Sequence, residues 1–500
     1  MGNNQSAYQS HLSCLVNSDL DEDSVYWESF FTYEFPMQFQ NDFRATFHNF
    51  YSSNPVNFHI GTNVCVKKLD EQIGKLDDNF SPAIFYETIR SMTSFLHYII
   101  PEIIASKSQD EVFKDESGER LAFLITKLLE RKIFSLGKNA QHWYENSVNE
   151  NHYDEFRLML VQILIMLKTI NINFDINPDF GISVTFLLKY YFNTPLKKSL
   201  TLQRELINAS LNLLLVINNF NKLDLYVISR NELIEEDYNE FVLSLSLCIL
   251  KKAKEDPMSV DNRIRKPLSL MLLNLISINP TSDYIEYILF TLLYAYSFTS
   301  LSIEFNVTNI SLFLKYPIHR GTYADTLIEL LSKVNPKYYK LVSLIISAII
   351  PYTQNLSYLS SITIINILKL VFTKNDFQLT RAMIKAIHYL INRSVRDNIP
   401  FIILLIKNSS LILNIKNSIN DFEECEQISS FIKNINQELK QFGNKFTSTE
   451  LENFFKDPSC ENFAIPVLNM PRIDFDLQSK IDENIKSLIT LYISKKLQLV

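Results

Sequence analysis

Apolar residues recur at helical spacing along most of the chain, from about residue 84 to about residue 440. In one clear case they fall at positions i, i+3, i+4, i+7 and i+8, which are Leu121, Leu124, Ile125, Leu128 and Leu129. The charged residues Glu119, Arg120, Lys127, Glu130 and Arg131 occupy other positions of the same segment. This spacing places the apolar side chains on one helical face and the charges on the opposite face. The pattern predicts an amphipathic helix at about residues 119–131.

Segments of this kind repeat along the chain. They lie near residues 155–171, 206–217, 238–254, 264–278, 325–335, 341–349, 358–373, 377–393 and 423–442. The spacing gives one helix pair in roughly 40 residues, the period of HEAT and armadillo repeats, although no sequence motif repeats with it. We therefore predict an all-α fold, a HEAT/armadillo-like α-solenoid of stacked antiparallel helix pairs with a surface suited to binding proteins.

Composition divides the chain into three predicted parts. Residues 1–25 are polar and acidic and predict a flexible arm, and residues 26–456 carry the helical solenoid. Residues 457–500 contain an excursion with three prolines and a terminal amphipathic helix, which we expect to pack on the solenoid. An uncharged run at 287–303 is too polar for a membrane span. Another at 341–368 predicts two core helices joined by a turn that starts at Pro351.

Glycine usage excludes several classes of nucleotide-binding enzyme. The chain has eight glycines in 500 residues, and none are clustered. Phosphate-binding loops need clustered glycines, so no P-loop, dinucleotide fingerprint or kinase-type loop is present. HExxH, GxSxG and CxxC motifs are also absent, and the eight histidines are dispersed. We predict no catalytic residue, metal site, cofactor or small-molecule substrate. A hydrolase with a site assembled only in three dimensions stays open as an alternative.

Net charge and cysteine usage indicate the environment. A formal charge of −7 disfavours nucleic acid as a partner. The densest basic cluster, at residues 251–266, fits either a solvated loop or a contact for acidic lipid or protein. The five cysteines are odd in number and widely spaced, which favours a reducing compartment. No apolar h-region follows Met1, so we expect a cytosolic protein without a signal peptide.

The N-terminus carries a lipidation motif. Met1-Gly2-Asn3-Asn4-Gln5-Ser6 satisfies M-G-x-x-x-[ST], which predicts a myristoyl group on Gly2. The alternative is an ordinary N-terminus. One myristoyl chain gives only marginal membrane binding, so a second signal is needed. The acidic arm cannot serve as a polybasic signal. A membrane-bound partner or palmitoylation of Cys14 would serve, unless Cys14 is an unmodified thiol.

A second motif surrounds one of the few glycines. In the stretch from Pro317 to Asp325, Gly321 supplies a turn and Thr322 is placed to N-cap a helix that begins at Tyr323. Asp325 then lies in the first helical turn, where the helix dipole favours a carboxylate. The alternative is that this stretch has an additional partner-binding role.

These segments resemble the high-temperature-induced dauer-formation (Hid) family, which is related to the dymeclins. The start Met1-Gly2 with Ser6 resembles both families, as does the segment from Trp27 to Phe31. Residues 321–328 are similar to the Hid stretch G-T-x-A-D-L-L-I, and residues 351–357 resemble part of its S-P-Y-x-x-x-L-S stretch. Pro466 and Pro471 lie in a patch like the family's L-P-V-P element. The candidate family-motif or partner-binding residues are Trp27, Pro317, Gly321, Thr322, Asp325, Pro351, Pro466 and Pro471.

The resemblance implies a function without catalysis. It implies a myristoylated peripheral membrane protein of the Golgi or trans-Golgi network that acts in vesicle trafficking, protein sorting or secretory-granule formation. Its expected partners are the membrane surface, through the N-terminal lipid, and Golgi, coat or trafficking proteins. The alternative is a generic HEAT-like cytosolic adaptor, for example in nuclear transport, without a lipid anchor.

Overall fold

Most of the chain forms helices in the computed structural model. The structure describes residues 11–32, 41–74, 82–113, 116–130, 152–177, 180–193, 201–220, 222–225, 239–255, 262–278, 284–296, 322–393, 395–439, 448–456 and 477–497. Helices joined by turns account for nearly all of these residues. The predicted all-α, solenoid-like fold class is confirmed.

The helices follow the predicted periodicity closely. Residues 11–17 are helical and precede the first numbered helix. The numbered helices are α1 (Tyr26–Phe30), α2 (Asn41–Ser53), α3 (Pro55–Gly74), α4 (Pro82–Ser106), α5 (Gln109–Val112), α6 (Ser117–Glu130), α7 (His152–Thr169), α8 (Phe180–Asn193), α9 (Thr201–Ile217), α10 (Asn239–Glu255), α11 (Asn262–Ile278), α12 (Ile285–Tyr296), α13 (Tyr323–Leu331), α14 (Tyr339–Ile349), α15 (Tyr358–Thr373), α16 (Phe377–Arg393), α17 (Ile399–Lys407), α18 (Ser409–Ser418), α19 (Glu423–Leu439), α20 (Ser448–Lys456) and α21 (Leu477–Leu497). Short 3₁₀ turns lie at Pro336–Tyr338, Ile350–Tyr352 and Arg396–Asn398.

The chain divides into two compact units. Unit 1 comprises Met1–Val227 and Ile485–Val500, and unit 2 comprises Ile228–Asn484. The sequence pattern had suggested one body over residues 26–456. Helical periodicity marks where helices occur, but it carries no information about which helices share a core.

Unit 1 is built around α7. This helix packs against α4, α6 and α9, and nearly all of its residues from Phe156 to Leu167 are buried. A helix that is apolar around its circumference needs such cover on several sides. Its polar residues are paired: Arg157 donates to Asp154 at 2.8 Å, and Gln162 bonds His97 of α4 at 2.8 Å. The core of unit 1 therefore contains a few satisfied polar contacts among aliphatic side chains.

Unit 2 shows the two-layer packing expected of a helical-repeat stack. Helices α11, α13, α15 and α17 pack each on the next, and α12, α14, α16 and α19 do the same. Helices that follow one another in the chain also pack together across the two layers, as α14 does with α15. Each helix therefore buries apolar surface on both neighbouring helices of its own layer and on the other layer.

The uncharged run at residues 341–368 forms two helices, as predicted. Helix α14 ends at Ile349, the 3₁₀ turn that contains Pro351 follows, and α15 begins at Tyr358. Proline lacks a backbone N–H, so it opens the turn and does not continue the helix. Pro351 is buried within the turn.

No single helix among the described residues is long and apolar enough to cross a membrane. The consecutive helices α17 and α18 pass that test only when they are taken together, and they are bent by 66° at the break between them. The apolar residues of α17 are buried, and the helix packs on α15 and α20. It has the environment of a core helix in unit 2.

The buried His97 makes the stability of the protein depend on pH. Burial lowers the pKa of its imidazole from the ordinary value of 6.5 to about 4, although the bond to Gln162 favours the protonated form. The unfolded state therefore binds more protons than the folded state between these pH values. We expect the free energy of unfolding to fall as the pH is lowered from about 6.5 to about 4, by on the order of 3 kcal/mol from this residue.

Denaturant unfolding at pH 7.5 and pH 4.5 measures this loss. His97→Gln keeps a polar side chain opposite Gln162 but removes the titration, so it should lose less stability across the same interval. An identical loss in the parent chain and the variant would contradict the assignment.

Candidate functional site

The N-terminal segment, residues 11–25, is docked on unit 1. Its first residues are helical, and Leu12 and Leu15 are buried. The side-chain amide of Asn57 in α3 donates to the carbonyl oxygens of Leu15 at 2.7 Å and Ser18 at 2.6 Å. Carbonyls at the end of a helix have no backbone partner within it, so the amide satisfies them. The segment packs on the helical body, where a flexible arm was expected.

Trp27 anchors the C-terminal end of the N-terminal segment. Its indole Nε1 donates to the backbone oxygen of Asp21 at 2.8 Å, and the side chain is 1% exposed. The indole ring lies against α3 at Gly61, where an added Cβ would come within 2.7 Å of two ring carbons. The ring also stacks on Phe31 with centroids 6.1 Å apart. Trp27 is therefore an internal packing residue that offers no surface to a partner.

The exposed surface of the N-terminal segment is acidic. Asp19, Asp21, Glu22 and Asp23 are exposed, and Glu22 forms an ion pair with Lys67 of α3. Gly2 itself lies outside the described residues. It precedes residue 11 by nine positions, which an extended chain spans in at most about 30 Å. An acyl chain on Gly2 would hold this acidic surface within that distance of a membrane.

The described cysteines differ in solvent exposure. Cys14 in the docked segment is exposed, whereas Cys65, Cys248 and Cys425 are buried. Burial raises the pKa of the Cys65 and Cys248 thiols well above the ordinary range and that of Cys425 to about 12. The thiolate is the reactive form, so these three thiols are inert at neutral pH. Cys460 lies outside the described residues.

The predicted helix cap at Thr322 is confirmed. Its hydroxyl accepts the backbone N–H of Asp325 at 3.2 Å, and the helix begins at Tyr323. Asp325 lies in the first turn of α13, as predicted. Pro317 and Gly321 lie outside the described residues.

Asp325 has a further role, because it joins α13 to α15. Its Oδ1 accepts the backbone N–H of Ser357 at 2.8 Å, and its backbone oxygen accepts the hydroxyl of Ser360 at 2.9 Å. Ser357 is the N-cap of α15 and accepts the N–H of Ser360 at 3.1 Å. The Ser357 hydroxyl also donates to Glu329 at 3.0 Å. The first turns of the two helices therefore share one hydrogen-bonded network.

Asn398 makes the equivalent connection from α17. It is fully buried at the start of that helix, and its Oδ1 accepts the N–H of Leu356 at 3.2 Å. Its Nδ2 donates to the carbonyl oxygen of Thr353 at 3.2 Å. The N-terminal ends of α13, α15 and α17 are thus held in a row. We call Thr322, Asp325, Ser357, Ser360 and Asn398 the clasp.

The clasp is where the two Hid-like stretches of unit 2 meet. Residues 321–328 and 351–357 are separate in sequence, yet Asp325 bonds Ser357 directly. The described candidate residues Trp27, Thr322, Asp325 and Pro351 are all buried, so they position helices and do not form a binding surface. Pro466 and Pro471 lie outside the described residues.

Two exposed residues beside the clasp were missed by sequence reasoning. Tyr358 and Leu359 open α15 and are 55% and 53% exposed. They are two of the large apolar side chains that the described part of the chain leaves exposed. Helical spacing predicted α15 but not which of its apolar faces stays open, because that helix is apolar around most of its circumference.

A cluster of hydroxyls and one imidazole lies at the end of α4. Tyr51 Oη lies 3.0 Å from His59 Nε2 and 2.9 Å from Ser106 Oγ, and Ser106 Oγ lies 2.8 Å from Ser108 Oγ. Burial lowers the pKa of His59. The backbone N–H groups of Lys107 and Ser108 bond carbonyl oxygens of α4. These bonds and the hydroxyl contacts satisfy polar groups at the end of α4.

Metal binding needs several ligands in one place. Within the described ranges, no group of three or more His, Cys, Asp or Glu side chains is placed to hold a metal ion. Comparison of the chain with protein-family models, curated proteins and solved structures finds no match. The resemblance to the Hid family therefore stays a prediction that rests on the stretches named above.

The contact between Trp27 and Gly61 can be tested with a matched pair of glycine substitutions. Alanine in a helix interior gains about 1 kcal/mol over glycine, but overpacking costs typically about 1–3 kcal/mol. We expect Gly61→Ala to lower the free energy of unfolding by about 1 kcal/mol, because its Cβ would meet the indole at 2.7 Å. Gly74→Ala in the same helix has no atom within 4 Å of its Cβ and should be neutral or stabilising. Equal stability of the two variants in denaturant unfolding would contradict this packing.

The clasp can be tested at Asp325. Asp325→Ala leaves the partly buried N–H of Ser357 without its acceptor, and the loss of such a bond costs about 1 kcal/mol or more. Asp325→Asn keeps an acceptor oxygen at the same place, so we expect it to lose clearly less stability. Denaturant unfolding of both variants measures the difference. If alanine and asparagine were equally tolerated, the bond to Ser357 would not stabilise unit 2.

Proposed function

We propose that this chain is a non-enzymatic, N-myristoylated scaffold on the cytosolic face of Golgi or trans-Golgi membranes. In this role it gathers coat or trafficking proteins for vesicle transport, protein sorting or secretory-granule formation. The proposal combines the lipidation motif at Gly2, the resemblance to the Hid family and the stacked helices. No cofactor and no small-molecule substrate takes part in it.

The docking of the N-terminal segment is the observation that carries the proposal. Asn57 and Trp27 fasten residues 11–27 to unit 1, so the start of the chain leaves the helical body at a defined place. A lipid on a long flexible arm would tether the protein without orienting it. A lipid on Gly2 is separated from the docked helix by nine positions and would restrict which face of unit 1 approaches the bilayer.

The acidic surface beside this anchor determines what kind of membrane contact is possible. Exposed Asp21 and Asp23 oppose close approach to anionic lipid. A single myristoyl chain binds only marginally, so a second signal is required. Cys14 is the exposed thiol in the docked segment, and palmitoylation there would add the second chain.

Protein partners would contact the stacked helices. In unit 2 the clasp holds α15 so that Tyr358 and Leu359 stay exposed. Such a rigid apolar pair on a helical stack suits the binding of a protein segment. The alternative adaptor function, without a lipid anchor, would use the same surface. The two functions differ only in membrane attachment.

Gly2→Ala tests the anchor. We expect mass spectrometry of the N-terminal peptide from eukaryotic cells to show a myristoyl group in the parent chain and none in the variant. The soluble fraction should rise in the variant. Thermal unfolding should not change, because Gly2 precedes the docked segment and the core contacts of residues 11–31 are retained.

Cys14→Ser provides the companion test of the second signal. In the parent background it should raise the soluble fraction above that of the parent chain. In the Gly2→Ala background it should have no effect, because the first anchor is already lost. An unmodified N-terminal peptide together with full solubility of the parent chain would refute the anchored function and favour the cytosolic adaptor.

A further inference from the structure

A cluster of lysines lies at one end of α13, α14 and α15 in unit 2. Residues 329–376 contain five lysines and two carboxylates in a chain whose net charge is −7. All five lysines are exposed. We call this set the lysine edge: Lys333, Lys337, Lys340, Lys369 and Lys374.

Helix geometry brings these lysines to the same end of the helices. The clasp joins the first turns of α13 and α15, so the two packed helices run in the same direction. Lys333 follows Asp325 by eight residues and Lys369 follows Ser360 by nine, which places both about 12–14 Å beyond the clasp. Helix α14 runs in the opposite direction and packs on both. Its first residues therefore lie at the end of α13 and α15 that is far from the clasp.

The carboxylates of this stretch do not form ion pairs with Lys337, Lys340, Lys369 or Lys374. Glu329 accepts the hydroxyl of Ser357 near the clasp, and Asp376 accepts the N–H of Leu379 at the start of α16. Among the described residues, no carboxylate lies within the 4.0 Å of an ion pair from Lys337, Lys340, Lys369 or Lys374. These four ammonium groups are available to an external anion.

Local helix electrostatics explain only part of this arrangement. Lys369 and Lys374 lie at the end of α15, where the helix dipole favours cations. Lys337 and Lys340 lie at the start of α14, where the dipole disfavours them. Acidic residues would be the stabilising choice there. Residues placed against a local stabilising preference are typical of sites retained for binding.

Aromatic residues accompany the lysines. Lys337 Nζ lies 4.6 Å from the ring centroid of Tyr338, and Tyr339 follows. Both tyrosines are half-buried at the start of α14. Lysine beside tyrosine is the combination found where protein surfaces meet lipid headgroups, since each has an apolar body and a polar end. An acidic protein segment would need the lysines but not the tyrosines.

We infer that the lysine edge binds the anionic headgroups of a membrane leaflet. This inference rests on the proposed membrane function and adds an electrostatic contact to the lipid anchors proposed at Gly2 and Cys14. The contact lies on the folded part of unit 2, where the five exposed lysines give a locally basic surface.

Vesicle binding of the full-length chain without its acyl group tests the edge separately from the anchor. Protein made in bacteria without N-myristoyltransferase is mixed with phosphatidylcholine vesicles that contain 30% phosphatidylserine or none. We expect binding to the anionic vesicles alone, and loss of that binding at 0.5 M salt. Lys337→Gln with Lys340→Gln should weaken it by about 30-fold, since each lysine near an anionic leaflet contributes about 1 kcal/mol.

Lys433→Gln with Lys486→Gln is the matched control, because both lysines are exposed and lie outside the edge. This variant should bind like the parent chain, and both double variants should retain cooperative unfolding. Equal binding to neutral and anionic vesicles, or an equal loss in both double variants, would overturn the inference. So would capture of the chain by polyglutamate but not by vesicles, which would identify an acidic protein as the partner. A missing acyl group in cells would overturn the proposed anchor and leave this vesicle result unaffected.

Discussion

Backbone groups at the ends of packed helices need hydrogen-bond partners that water cannot supply once the helices are buried. At the clasp, Asp325 provides the acceptor for the N–H of Ser357. Asn398 accepts the N–H of Leu356 and donates to the carbonyl oxygen of Thr353, both in the segment that leads into α15. Such bonds form only when particular helical turns lie side by side. They therefore set the register of α13, α15 and α17, which in turn places the open face of α15 and brings the lysines to one end.

Local chemistry could be predicted from the sequence, and contacts between distant residues could not. Thr322 was recognisable as a cap because its hydroxyl bonds a residue three positions later. The bond from Asp325 to Ser357 joins residues 32 positions apart and exists only because two helices pack together. A signal was present in the sequence: two stretches each combine a capping hydroxyl with an apolar helix. That pattern indicates two helix starts but does not say that they touch.

The N-terminal segment shows how tertiary packing overrides composition. Its acidic residues predicted a flexible arm, yet Leu12, Leu15 and Trp27 supply three buried anchors among them. Gly61 belongs to the same arrangement. A glycine inside a helix is unfavourable by propensity, and its role is visible only when the indole that fills the space beside it is known. Neither partner predicts the other from sequence, because the approach depends on how α3 meets the segment.

The net charge is a sum over the whole chain, so it did not indicate that one surface, the lysine edge, is basic. Electrostatic attraction in physiological salt decays over about 8 Å, which is shorter than α15. A charged surface brought to the edge therefore interacts with the local lysines and not with the total of −7. The uncharged, largely buried run at residues 341–368 supplies the core that holds α14 in place despite cations at its start. Stability and binding are thus assigned to different residues of the same two helices.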